Sequence, residues 1–334
     1  MKRFIFFLIL LFILSACDSK ISFNSLELYN GVTDLTPFGN DKICFIANLN
    51  NYKYLMVLVY ANINGDILKI ETIDKFVNID VSLEQVKVFN FNNKITIAYS
   101  NINNKIDLIK YNDFDSFSKM ELSLSSKSYG SFIEYNDQGD AIFIKSDKIY
   151  KSGDPSGYWF NYYKVDNELN ILNQMNIFLG NLFPLGYIML NGNIYFYVND
   201  NQLMKKNINS SEISSIYNFE QEIIDIDIVN GNVLVLLKES VFLVSDEGEL
   251  LKSFNLLGNA EGFFSKNIIH SQNGNITIEL SNGFKTMYKE FSITGNPSSQ
   301  KIINSLVVGD SYFFDSNGIK KLFYSTKSTL FIEN

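Results

Sequence analysis

Few residues in this 334-residue chain have the type and spacing that chemistry requires. The single histidine, His270, stands in Asn267-Ile268-Ile269-His270-Ser271, and no Gly-x-Ser-x-Gly elbow is present to supply it with a nucleophile. It reads as a structural residue. With one histidine and two cysteines, Cys17 and Cys44, a zinc site would have to borrow carboxylates. Calcium takes oxygens, and two turns cluster them, Asn112-Asp113-Phe114-Asp115-Ser116 and Asn136-Asp137-Gln138-Gly139-Asp140, although neither keeps the spacing of an EF-hand loop. Asp225 and Asp227 fall on one face of a strand, and paired carboxylates act as acid and base in glycoside cleavage. The competing expectation for that pair is the wet face of a half-buried strand. Gly153-Asp154-Pro155-Ser156-Gly157 runs into Tyr158-Trp159-Phe160-Asn161-Tyr162-Tyr163, where Tyr158 and Trp159 are candidates for partner contact and core strand is the alternative. No catalytic residue, cofactor or metal ligand set is expected from these patterns.

The charge inventory removes whole classes of partner. Arg3 is the only arginine, so once a leader containing it is removed the chain has no guanidinium with which to grip carboxylate, phosphate or guanine in a bidentate fork. Sites built on several arginines, as in sialidases, are excluded. Losing Lys2 and Arg3 leaves 26 basic against 36 acidic residues, a net charge of about −10, which disfavours nucleic acid and anionic lipid surfaces. Hydrophobic residues at 46% and charged residues at 19%, with 29 Phe and 19 Tyr, specify a folded chain.

The N-terminus carries the sharpest motif. Met1-Lys2-Arg3 is a basic start, Phe4 to Leu14 is an apolar run too short to span a bilayer, and Ser15 and Ala16 are small, which together outline a secretory signal. Leu14-Ser15-Ala16-Cys17 resembles the lipobox of bacterial lipoproteins, and the resemblance implies cleavage before Cys17 and acylation of that cysteine. Two or more chains anchor durably, since each buried methylene contributes about 0.8 kcal/mol. The expected organisation is a signal peptide over 1–16, a lipidated tether over 17–20 and a folded domain over 21–334. Three residues, Asp18 to Lys20, reach only about 10 Å when extended, so the domain would lie close to its membrane. Cys44, in Lys42-Ile43-Cys44-Phe45-Ile46, is left with no second cysteine for an intramolecular disulfide and reads as a buried small hydrophobe.

From Ile21 onward apolar residues recur at period two, most clearly in Ile224-Asp225-Ile226-Asp227-Ile228 and Ile276-Thr277-Ile278-Glu279-Leu280, and almost no helix is expected. Asn-Gly, the strongest short hairpin cue, precedes an apolar run at Asn191-Gly192, Asn230-Gly231 and Asn273-Gly274, at intervals of 39 and 43 residues. Weaker versions lie at Gly39-Asn40-Asp41, Asn92-Asn93, Gln138-Gly139-Asp140 and Gly309-Asp310. A further turn inside each unit is seen at Asn64-Gly65-Asp66, Asp166-Asn167-Glu168 and Ser245 to Gly248. Four short strands in about 45 residues, repeated about seven times, predict a single all-β propeller. The segment Ile21 to Tyr29 is expected to complete the last unit near Leu322 to Phe331.

The turns Val165-Asp166-Asn167-Glu168-Leu169 and Val244-Ser245-Asp246-Glu247-Gly248-Glu249-Leu250 resemble those of the PQQ-like and WD-like propellers, without the Trp-Asp and Gly-His pairs of WD40 blades or the Trp-rich motifs of quinone enzymes. With the lipobox, the all-β repeats and the length, the chain is similar to the propeller lipoproteins of the outer-membrane β-barrel assembly machinery. That likeness implies a non-enzymatic scaffold in the cell envelope, on the periplasmic face of a membrane, whose partners are envelope proteins such as β-barrel assembly subunits and which binds no nucleic acid. The alternatives are a surface lipoprotein that binds a ligand or carbohydrate, and a hydrolase or lyase using carboxylates in the propeller funnel.

Overall fold

A computed structural model describes residues 21–23, 26, 28–38, 42–49, 56–72, 86–91, 94–100, 105–111, 117–123, 132–135, 141–146, 157–165, 170–256, 262–270, 275–316 and 319–333. All regular structure among them is β-strand. The leader, Cys17 and both candidate calcium turns lie outside the described residues. No helix among the described residues is long and apolar enough to cross a membrane.

The chain divides into two compact units, residues 1–71 with 308–334 and residues 72–307. The first begins with β1 (Ile21–Ser22), β2 (Leu28–Phe38), β3 (Lys42–Leu49), β4 (Met56–Asn62) and β5 (Ile67–Thr72). The second holds β6 (Val86–Phe91), β7 (Lys94–Ser100), β8 (Lys105–Tyr111), β9 (Phe117–Ser123), β10 (Phe132–Tyr135), β11 (Ala141–Ser146), β12 (Tyr158–Val165), β13 (Ile171–Gly180), β14 (Gly186–Leu190), β15 (Asn193–Val198), β16 (Gln202–Asn207), β17 (Ile213–Asn218), β18 (Ile223–Val229), β19 (Asn232–Leu237), β20 (Ser240–Val244), β21 (Leu250–Asn255), β22 (Phe264–His270), β23 (Asn275–Ser281), β24 (Thr286–Ser292) and β25 (Pro297–Ile303). The chain then returns to the first unit with β26 (Ser311–Ser316), β27 (Ile319–Ser325) and β28 (Leu330–Glu333).

Among the described residues these strands make seven four-stranded sheets, six of them in simple sequence order and the last in the order β1-β28-β27-β26. The hairpin cues explain the repeat. Asn191 and Asn230 take φ of 50° and 48°, followed by Gly192 and Gly231 at 71° and 74°, the pair of positive values a type I′ turn needs to join β14 to β15 and β18 to β19. Seven of the other eight turns named from sequence also fall between consecutive strands of one sheet. Gly309-Asp310 does not: it leads into β26, and Gly309 bridges Val32 in parallel.

In the second unit the first strands of successive sheets are neighbours, β14 beside β18 and β18 beside β22. Two described connections between sheets are clamped to the preceding sheet's second turn: Phe219 N–H and Ile223 N–H donate to Asn201 O and Asp200 O, and Leu256 N–H donates to Glu239 O. Second strands are covered on both faces, so β19 is buried from Val233 to Leu237 and β23 from Ile276 to Leu280. Fourth strands are edges, and β21 and β25 are exposed along most of their length.

The first unit joins the two ends of the chain. β1 pairs antiparallel with β28, Ile21 opposite Ile332, so a strand from the N-terminus completes the last sheet as expected. The expected strand Ile21 to Tyr29 is, however, broken: Phe23 N–H donates to Leu330 O, Leu26 N–H turns back to Phe23 O, and Leu28 already belongs to the next sheet. Phe23, Leu26, Val32, Phe45, Val59, Phe323 and Ile332 share one core. Ser325 Oγ donates to Val308 O and accepts from Val32 N–H at 3.1 Å, and Asp310 N–H donates to Val32 O at 2.9 Å. Cys44 is fully buried in β3, as its apolar neighbours predict.

Candidate functional site

The carboxylate pair of β18 is a sequence candidate whose two side chains the structure defines. A bulge between Ile223 and Asp225 resets the strand, after which Ile226 and Ile228 join the core shared with β15 and β19 while Asp225 and Asp227 alternate with them on the other face. Asp225 does not have the solvated face that simple alternation predicts. Its Oδ1 accepts Ile226 N–H and its Oδ2 accepts Ile268 N–H, both at 2.9 Å, so one carboxylate ties β18 to β22 where bulges flank Ile268. Burial pushes its carboxyl up to about 7, and Asp227 adds to the rise while the two N–H groups oppose it. Asp227 Oδ1 accepts Ile228 N–H at 2.7 Å. Across the strand, Tyr197 donates to Ile224 O at 3.4 Å, and its phenol is pushed up to about 12 by burial first and then by Asp225, Asp200 and Glu222.

Two polar clusters were missed by the sequence reading. Lys205 Nζ contacts Asp246 at 3.0 Å and donates to its carbonyl at 2.6 Å, while Tyr195 OH donates to the same carbonyl at 3.2 Å. Burial raises the Asp246 carboxyl, Glu247 adds to this, and hydrogen bonds from Asn191 and Asn193 oppose it. The turn residues Ser245 to Gly248 were the visible signal, but nothing local announces Lys205. In β23, Glu279 has no exposed surface and meets Lys266 Nζ at 2.6 Å.

The remaining candidates are placed as follows. Tyr158 opens β12, is half-buried and meets Phe183 edge-on at 5.0 Å between ring centroids. Trp159 pairs through its backbone with Ser146 and Phe178, and its side chain lies outside the described residues, as does that of His270 at the end of β22. No group of three or more His, Cys, Asp or Glu able to hold a metal ion occurs among the described residues. A separate pocket of about 320 Å³ opens beside the clamped β17–β18 connection, lined by Tyr217, Phe219, Glu220 and Phe242 among others.

No family model matches this chain, and no curated protein matches it. Solved structures do match. Sqt1 of Saccharomyces cerevisiae is similar over 92% of this chain and 97% of its own, with 11% identity and a TM-score of 0.58. BBS1N, solved in complex with ARL6DN, is similar over 92% of this chain and 95% of its own, with 14% identity and a TM-score of 0.53. BamB of Moraxella catarrhalis is similar over 91% and 85%, with 10% identity and a TM-score of 0.49. With the four-stranded antiparallel sheets, the likeness to Sqt1 and BBS1N establishes the fold class as an all-β propeller.

Proposed function

We propose that this chain is a lipid-anchored propeller of the bacterial cell envelope that acts by holding protein partners and catalyses no reaction. The observation that carries the reading is the use of the acidic pair. Asp225 accepts backbone N–H groups from two strands and Asp227 accepts one, so both carboxylates hold β-structure in place. The lipobox residues Leu14 to Cys17 and the three-residue tether support attachment to a membrane from outside the cytoplasm. BBS1N, a chain of the same fold solved with ARL6DN, supports the use of such a scaffold to carry a protein. The partner class that the resemblance favours is the outer-membrane β-barrel assembly machinery, reached from the periplasmic face. The test is purification of the tagged chain from membranes in mild detergent, with Cys17→Ala as the unanchored control. Stoichiometric recovery of a β-barrel assembly subunit is expected. A membrane-bound chain that retains no protein overturns the scaffold reading.

One observation favours a hydrolase or lyase as the second reading: a carboxyl titrating near 7 is matched to general acid–base work. Asp225→Asn and Asp227→Asn that leave any discovered hydrolytic activity intact would remove it.

A further inference from the structure

The pocket beside the β17–β18 connection goes beyond the scaffold reading and does not depend on the anchor. Three rings wall it. Phe219 lies 4.6 Å from Tyr217 at 40° and 5.1 Å from Phe242 at 70°, so the rings stand at angles to one another, with Phe219 almost wholly buried and Tyr217 and Phe242 partly exposed beside it. A flat sugar is better served by a single open platform, whereas aromatic walls set at angles suit a compact rounded cation drawn to their quadrupoles. Glu220 adds a carboxylate at the rim, and none of the described residues lining the pocket is basic. The nearby Lys238 is drawn to the Phe264 ring, 4.8 Å from its centroid, so the fold already uses this attraction next door.

The wall is held in place without a ligand. Phe219 N–H donates to Asn201 O and Asn201 Nδ2 donates to Phe219 O, both at 2.9 Å, and Ile223 N–H donates to Asp200 O at 2.5 Å. Asn199 and Asp200 take φ of 51° and 64° in that turn, a tight conformation which fixes the carbonyls receiving these bonds. A prearranged site loses less to ordering when it binds. The volume of about 320 Å³ admits a quaternary ammonium group with a short substituent. We infer that this pocket binds a compact quaternary ammonium ion, on a free solute or on a phosphocholine headgroup.

The test is titration of the full chain in detergent with choline by calorimetry, beside 3,3-dimethylbutan-1-ol as the uncharged isostere, glucose, and glycerophosphocholine. Choline should bind, and the alcohol and glucose should bind at least fivefold more weakly. Phe242→Leu should weaken choline about fivefold or more. Glu220→Gln, at an exposed position that leaves folding intact, should weaken it severalfold and flatten its salt dependence. Tighter binding of glycerophosphocholine than of choline assigns the headgroup source, and weaker binding assigns the free solute. Equal binding of choline and the alcohol, or choline binding unmoved by Glu220→Gln, overturns the inference, as does no choline binding at tens of millimolar.

Discussion

Replacing Asp225 with asparagine changes how stability depends on pH, and the size of the change follows from the geometry. In the folded protein the carboxyl titrates near 7, raised from about 3.8 chiefly by burial and then by Asp227. Between those values the folded chain holds a proton that the unfolded chain has released, so stability falls as pH rises through this window and is level above about 7. At about 1.4 kcal/mol per pH unit, the contribution across the window is about 4 kcal/mol. The groups that face Asp225 are Asp227 on its own strand, the N–H groups of Ile226 and Ile268, and the Tyr197 phenol, which stays neutral throughout. Asparagine removes the titration but keeps only one acceptor for two N–H donors, a cost of about 1–3 kcal/mol at every pH. Urea unfolding at pH 4.5, 6 and 8 should therefore show the variant less stable than the parent at the acid end and equal to it or more stable at pH 8. Parallel pH profiles for parent and variant would refute the placement of this carboxylate.

Three further substitutions test other parts of the fold. Gly309→Ala forces a left-handed φ of 80° on a residue whose Cβ would meet the Val32 carbonyl, and should cost about 2 kcal/mol or more in urea unfolding. Phe23→Ala empties a site 2% exposed in the core that joins the chain ends, and should cost about 3–5 kcal/mol by the same assay. Lys266→Met leaves the Glu279 carboxylate buried without its ion-pair partner and should cost about 3 kcal/mol, while the double variant Lys266→Met with Glu279→Gln should recover much of the loss. Thermal melts of the single and double variants measure that coupling.

The strands were legible because each repeat announces its own turn: Asn191-Gly192 and Asn230-Gly231 need no tertiary context to bend. Gly309 misled because glycine marks close backbone approach as readily as a hairpin, and here it admits Val32. Period-two alternation alone does not say which polar positions of β18 and β23 are wet. Alternation predicts one wet face when a sheet has one solvated side, but β23 is covered on both and Asp225 of β18 reaches β22. Asp225 and Glu279 must then find donors on β22, and neither Ile268 nor Lys266 is identifiable as that donor from local sequence. The angled rings of the pocket come from β17, the following connection and β20, more than 20 residues apart, so no window of sequence displays them together.

The proposed attachment to a membrane through Cys17 is read most directly from the mature N-terminus. Mass spectrometry of the N-terminal peptide released from membrane-purified protein should show a chain that begins at Cys17 and carries the mass of a diacylglyceryl group. A chain that begins elsewhere, or an unmodified Cys17 in protein recovered from the soluble fraction, would contradict it.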